Sequence, residues 1–211
     1  MRLTVFGATG RTGVQLVQQA LDAGHQVTGV VRDPAGLTVR HPRLSVRTAD
    51  ITDPAALRPT VRGADAAISL LGPHGRAASD VTSSGVRAIL AALSDEGVRR
   101  FVAVSAAPVA PPAPGETPLY RLLVNPLVSS VFREVHLDLT RMEELIRASG
   151  TDWTVVRPPR LIDRPRRGGV RREIGGNVRR GHVLGRADLA ATLLACLDDP
   201  ATVGQAVGVA Y

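Results

Sequence analysis

The chain has 211 residues, 44% of them hydrophobic, and a formal net charge of +7 at pH 7, enough apolar material for one domain with a full core. It contains no apolar run near the ~20 residues a membrane span needs, and no basic, apolar and small-residue order of a secretion signal near Met1. With Cys196 as the one cysteine no internal disulfide can form, and a cytoplasmic protein is expected.

In chain order, Leu3–Phe6 is a short β-rich run, followed by a glycine loop and a helical stretch over Val14–Leu21. That stretch places Val14, Val17 and Leu21 at helical spacing and stops at Gly24. Strands are predicted at Val27–Val31 and Leu44–Val46, and Asp53-Pro54 starts a short helix running to about Leu57. A fourth strand, Ala64–Leu71, ends in Gly72-Pro73. A helix over Ser79–Asp95 carries Val81, Ile89 and Leu93 on its apolar side. Phe101–Ser105 is a fifth strand, followed by a proline-rich loop from Pro108 to Pro118. Then come a helix over Leu137–Ala148, a strand at Trp153–Val156, an arginine-rich loop, a helix at Ala187–Leu197 and a last strand at Ala206–Val209. Strands alternating with helices imply parallel pairing through right-handed crossovers. The expected fold is a doubly wound, Rossmann-type α/β sheet, one domain over residues 1–211.

The loop after the first strand reads "FGATGRTG". Gly7-x-x-Gly10-x-x-Gly13 follows a strand and opens a helix, the setting a phosphate-binding turn requires. The first glycine permits the tight turn, the second lets backbone N–H groups reach a pyrophosphate, and the third lets the helix pack close to the strand. Gly7, Ala8, Thr9, Gly10, Arg11, Thr12 and Gly13 are therefore expected to cradle a dinucleotide. At the tip of the second strand, where a carboxylate would favour NAD, stands Arg32, followed by Asp33. With Arg11 it offers planar, bidentate donors that suit the extra 2′-phosphate of NADP(H); the alternative is a pair of solvated surface arginines. Ligands of such sheets lie beyond the carboxyl ends of the strands, which adds Asp50, Ile51, Leu71, Gly72, Ser105 and Ala106. Asp50 is equally placed to cap the Thr52–Leu57 segment.

"VFGATGRTG", "VVRDP", "DITDPAAL", "DAAISLLG", "VSA", "RASGTDWTVVRPPRLID" and "GRADLAATLLACLDDP" occur in that order. Together they resemble the NmrA-like, NAD(P)H-binding branch of the atypical short-chain dehydrogenase/reductases, in particular its flavin reductase/biliverdin-IXβ reductase type. The resemblance covers nearly the whole chain. It implies the same NADP preference and the same cofactor-lining positions, Pro158 of the "RPP" stretch among them.

All 26 basic residues are arginine, as a GC-rich genome would produce. Without lysine there is no Schiff base, no lysine general acid and no Tyr-x-x-x-Lys pair; four residues after Tyr120 stands Val124. By the resemblance, hydride transfer proceeds with few protein groups, because a flavin or tetrapyrrole acceptor spreads the arriving charge and takes its proton from water. Three positions depart from the family: Ala106 where a second hydroxyl is common, Leu139 after Asp138 where Lys or His is common, and Arg160 where the flavin-reductase type has a histidine. Ser105 remains as the candidate catalytic hydroxyl near the nicotinamide, unless it bonds locally. Asp138 is expected to face solvent, and His136 and His182 lack metal-ligand spacing and read as surface or loop residues; no metal is expected. Two function classes stay open. One is an NADPH-dependent oxidoreductase acting on a flavin, quinone or tetrapyrrole; the other, kept alive by the three lost polar positions, is a non-catalytic NADP(H)-binding redox sensor.

Residues 157–186 hold ten arginines against Asp163 and Glu173, a local charge of +8 in a chain of +7. A nucleic-acid surface is one reading, but the segment lacks any aromatic residue to stack a base. A solvated flap is another. The expectation adopted is a mobile basic loop on the substrate side that draws in a small anionic or aromatic acceptor, with Arg160 nearest to it. Neither a membrane nor a nucleic-acid partner is expected, and the sequence leaves the oligomeric state open.

Overall fold

The computed structural model describes residues 1–72, 80–111, 113 and 133–211. Tyr120, Val124, Pro73, Ser79 and most of the proline-rich loop lie outside the described residues. Ten strands are described: β1 (Arg2–Phe6), β2 (Gln26–Val31), β3 (Leu44–Thr48), β4 (Ala66–Ser69), β5 (Arg100–Val104), β6 (Asp152–Arg157), β7 (Arg160–Ile162), β8 (Arg171–Ile174), β9 (Val183–Gly185) and β10 (Gln205–Ala210). The α-helices are α1 (Arg11–Asp22), α2 (Pro54–Val61), α3 (Val81–Asp95), α4 (Arg133–Ala148) and α5 (Arg186–Leu197). Eight strands form one sheet in the order β3-β2-β1-β4-β5-β6-β10-β8. Every pairing in it is parallel except that of β8 with β10, giving the doubly wound α/β sheet the alternation implied.

The central strands read as continuous apolar runs because helices cover both faces. Val5, Ile68, Val102 and Val156 pack with Leu16, Val17, Leu189 and Leu193 of α1 and α5 on one face. Phe6, Ala67, Phe101 and Val155 pack with Leu57, Ile89 and Met142 of α2, α3 and α4 on the other. Helix α1 buries Gly13, Leu16, Val17, Ala20 and Leu21, a single stripe at helical period. Helix α2 starts at Pro54, with the Asp53 carboxylate accepting the Ala55 N–H at 2.9 Å, and runs one turn further than its sequence signal suggested.

The arginine-rich segment differs from the loop its composition implied, since it contains β7, β8 and β9. β8 is Arg-Arg-Glu-Ile, exposed along its length, so it carries no apolar alternation by which to be recognised. Its partner is the backbone of β10, with Val207 opposite Ile174 and Ala210 opposite Arg171. The Arg172 guanidinium meets Asp199 at 3.0 Å, and Arg171 donates to the carbonyls of Arg179, at 2.9 Å, and Tyr211. A charged edge strand of this kind also discourages pairing with other chains.

Candidate functional site

The strand order reverses between β1 and β4, both flanking each other at the sheet centre, and a crevice opens there beyond their carboxyl ends. The glycine turn forms its base. Gly7 has φ +78°, and a Cβ there would lie 2.9 Å from the Leu70 carbonyl oxygen. A Cβ on Gly13 would overlap the Gly7 carbonyl oxygen, so the helix packs onto the turn with no room for a side chain. Gly10 donates to the Gly7 carbonyl at 3.0 Å and accepts the Val14 N–H at 2.9 Å. Among the described residues no side chain caps α1, and its first turn has no acid. Its leading N–H groups and the positive end of its dipole are thus available to an anion.

The cleft above this turn has a volume of about 390 Å³. Of the residues singled out from the sequence, Gly7, Thr9, Gly10, Arg32, Ile51, Leu71 and Gly72 line it. Val30, Val31, Ala49, Leu70 and Val81 line it too and were not singled out. They are apolar residues at strand ends and at the start of α3, indistinguishable in sequence from core, and they offer flat walls for an aromatic base. Arg32 stands exposed at the β2 tip, on the wall where a ribose would lie. Donors and walls fit the adenine-nucleotide half of a dinucleotide; the lining stops at β4, and Ser105, Ala106 and Pro158 are not part of it.

Ala8 and Gly13 are buried beneath the turn and Thr12 is half-buried on α1. Arg11 does not line the cleft; it extends from the first residue of α1 to an ion pair with Asp163, which also receives Arg186 at 2.9 Å. Asp50 is exposed and outside the cleft wall. It accepts the Thr52 N–H at 2.9 Å and the Thr52 hydroxyl at 2.8 Å, bonds that hold its carboxyl below the usual range. The helix cap is Asp53, so that alternative reading of Asp50 is corrected.

Beyond β5 and β6 the strand pairing continues: Ser105 N–H donates to Val156 O at 2.8 Å and Ala107 N–H to Pro158 O at 2.9 Å. Ser105 is 6% exposed, and its Oγ has no hydrogen-bond partner among the described residues. Among the described residues this hydroxyl makes no local bond. Pro158 is buried, Ala106 half-buried, and Arg160 exposed at the start of β7. Asn177 reaches back from the turn after β8, its Nδ2 donating to the carbonyls of Ala107 at 2.9 Å and Pro111 at 3.0 Å. The basic segment is therefore fastened over the loop that follows Ser105.

Two carboxylates behave differently from their sequence reading. Asp138, expected in solvent, is 3% exposed and accepts the N–H groups of Thr82 at 3.0 Å and Ser83 at 3.2 Å. It lies where α4 packs on α3, and the α3 first turn supplies donors and positive dipole in place of water. Glu143, fully buried, holds Arg157 through Oε1 at 2.9 Å and Oε2 at 2.5 Å and also meets Arg147 at 2.5 Å. This fork fixes the carboxyl end of β6, and nothing in the spacing of Glu143 and Arg157 signals it. His136 is half-buried on α4, and burial lowers its imidazole pKa; His182 is exposed. Among the described residues no group of three or more His, Cys, Asp or Glu is placed to hold a metal, and no helix is long and apolar enough to cross a membrane.

Residues 7–200 match the NAD(P)H-binding family. The chain is 29% identical over 98% of its length to the (4-alkanoyl-5-oxo-2,5-dihydrofuran-3-yl)methyl phosphate reductase of Streptomyces griseus, of which it covers 67%. It spans 62% of a chloroplastic Arabidopsis thaliana protein to which it is 29% identical over 80% of this chain. Among solved structures, a short-chain dehydrogenase/reductase of Veillonella parvula in complex with NADP superposes with a TM-score of 0.80 at 20% identity, covering 100% of this chain and 94% of that one. The anaerobilin reductase ChuY of Escherichia coli gives 0.81 at 22% identity, covering 100% and 97%. At such identities the structures show the shared fold alone. Because the family match runs from the glycine turn through the last helix, the chain belongs to the NAD(P)H-binding family.

Proposed function

We propose that the protein is an NADPH-dependent reductase that delivers a hydride to a conjugated, anionic acceptor of the flavin, quinone or tetrapyrrole kind. The observation that carries this reading is the buried Ser105 hydroxyl just past β5, which has no hydrogen-bond partner among the described residues. A buried hydroxyl left without a bond costs stability, and this one lies two strands from the glycine turn, where the nicotinamide of a dinucleotide running across the sheet edge would reach. NADPH, when bound, would supply the hydride and its two electrons. Arg32 would hold the ribose phosphate, the α1 N-terminus would hold the pyrophosphate, and the walls of the cleft would exclude water from the base. Ser105 offers one hydrogen bond at the reacting end, orienting the rings. Leu139 is packed in the core and the chain has no lysine; solvent is the proton source proposed for the reduced acceptor.

The name of one similar protein supports the acceptor class: it is a reductase of a phosphate-bearing unsaturated lactone. The arginine-rich segment supports it as well, though Arg157, Arg172 and Arg186 have acidic partners. Arg160, Arg164 and Arg166 are exposed and are the arginines proposed to attract the acceptor. Steady NADPH oxidation against a panel of flavins, quinones and bilins tests the reading. Turnover is expected, with KM for flavin mononucleotide rising with salt and that for riboflavin unchanged, as screening weakens attraction to the phosphate. Tight NADPH binding with no turnover on any acceptor would instead support the redox-sensor reading. Tight duplex DNA binding at physiological salt would make the segment a nucleic-acid surface.

A further inference from the structure

Arg11 is the first residue of α1, one position past the glycine whose carbonyl starts the helix. Its backbone N–H belongs to the phosphate cradle, yet its guanidinium is engaged by Asp163, the residue after β7. Both side chains are largely exposed, at 69% and 54%. An ion pair of this kind contributes little in water, whereas a guanidinium on a phosphate gains charge-assisted bonds with matched planar geometry. Asp163 has a second cation, Arg186, at 2.9 Å, and that side chain is only 18% exposed. Loss of Arg11 would therefore not strand the carboxylate. The segment beyond Asp163 is pinned independently, because Asp188 accepts the N–H groups of Arg167 at 3.0 Å and Gly168 at 2.8 Å.

We infer that Asp163 sets the affinity of the cleft for its dinucleotide by competing with the cofactor's phosphates for Arg11. In the free protein the carboxylate holds the guanidinium away from the cleft; a bound phosphate takes it over, and Asp163 stays on Arg186. The inference rests on the dinucleotide reading of the cleft and adds to it a residue from the opposite, acceptor-side segment. It also accounts for Arg11 lying outside the cleft wall while occupying the position nearest the helix N-terminus.

The test is calorimetric titration of NADP⁺, which binds without turnover, into the native protein, Asp163→Asn, Arg11→Ala and the double variant. Asp163→Asn is expected to tighten binding roughly two- to fivefold, the range corresponding to one exposed ion pair. In the Arg11→Ala background the same change should have no effect, since the competitor then has nothing to compete for. Unchanged or weaker binding by Asp163→Asn overturns the proposal. Equal tightening with and without Arg11 overturns it too, because Asp163 would then act through its bare charge. Native protein that binds no NADP⁺ refutes the dinucleotide reading itself, a result distinct from binding that ignores Asp163. Thermal melting of the free variants checks that each remains folded.

Discussion

At the scale of single residues, the glycine turn was legible because its demands are local. A positive φ at Gly7 and the lack of room at Gly13 follow from chain sterics over seven residues. Arg32 was legible because a second strand parallel to the first brings its carboxyl end beside the turn. Arg32→Ala should weaken NADP⁺ binding about tenfold while hardly changing NAD⁺ binding, since one charged hydrogen bond contributes roughly 1.5–3 kcal/mol. Calorimetric dissociation constants for both cofactors check this, and equal constants in the native protein would contradict it. Ser105→Ala should fill its place without strain and lower kcat by no more than about 10²-fold, the lower end of what one acid–base group contributes. A rate measured with saturating NADPH separates this from a binding defect; a fully inactive, folded, NADPH-binding variant would assign Ser105 a heavier part. Arg11 shows where local reading stops, because its partner Asp163 lies 152 residues away along the chain.

At the scale of elements, α3 and α4 are joined by a carboxylate rather than by apolar contact alone. Asp138 satisfies two buried N–H groups at the start of α3, and Val81 beside them lines the cleft. Asp138→Ala is expected to cost about 2–4 kcal/mol, since two buried donors lose a charged acceptor; Asp138→Asn should cost less, as one acceptor oxygen remains. Urea unfolding reads both, and equal losses would show that packing, not bonding, holds this contact. Glu143 and Arg157 join α4 to the end of β6 in the same manner. Glu143→Gln leaves a buried guanidinium without its charge partner and should cost roughly 3–5 kcal/mol. Neither contact has a sequence signature, for each spans two elements whose relative placement the local pattern does not specify. β8 was missed for a related reason: an exposed edge strand is held by the backbone of its neighbour, and its side chains are free of the two-residue alternation.

At the scale of the whole molecule, the last residue of the chain closes a network that ties β10, α5 and the basic segment together. Tyr211 hydroxyl donates to Asp188 Oδ2 at 2.5 Å and accepts the Gly185 N–H at 3.1 Å, and the Arg167 guanidinium stacks 4.8 Å from the ring centre. Burial pushes the Asp188 carboxyl up, but the Tyr211 hydroxyl, the N–H groups of Gly168 and Arg167 and the nearby Arg166 charge outweigh it and hold it below the usual range. The unfolded chain binds this proton more readily than the folded one. The stabilisation is complete above the ordinary carboxylate pKa of about 3.9 and is lost as pH falls through the lower, folded value. Asp188→Asn should thus be less stable than the native protein at pH 7, with the difference shrinking toward about pH 3. Urea midpoints at the two pH values measure this; a constant difference would mean that the carboxylate's charge plays no part.

The sequence by itself determined the α/β alternation, the sheet's doubly wound class, the glycine turn between β1 and α1, and three strand-end residues of the cleft wall, Ile51, Leu71 and Gly72. Each of these is a consequence of backbone sterics, period and chain order within a few tens of residues. What only the tertiary structure decided was which charges meet: Asp138 with the α3 N-terminus, Glu143 with Arg157, Asp163 with Arg11 and Arg186. It also decided that much of the arginine-rich segment is fastened strand and turn, its charge partly consumed by Asp199, Asp163 and Glu143. Charge pairing acts across the folded chain at distances of a few ångströms. A sequence with 26 arginines and 19 acids permits many such pairings, and the packing of helices onto the sheet selects among them.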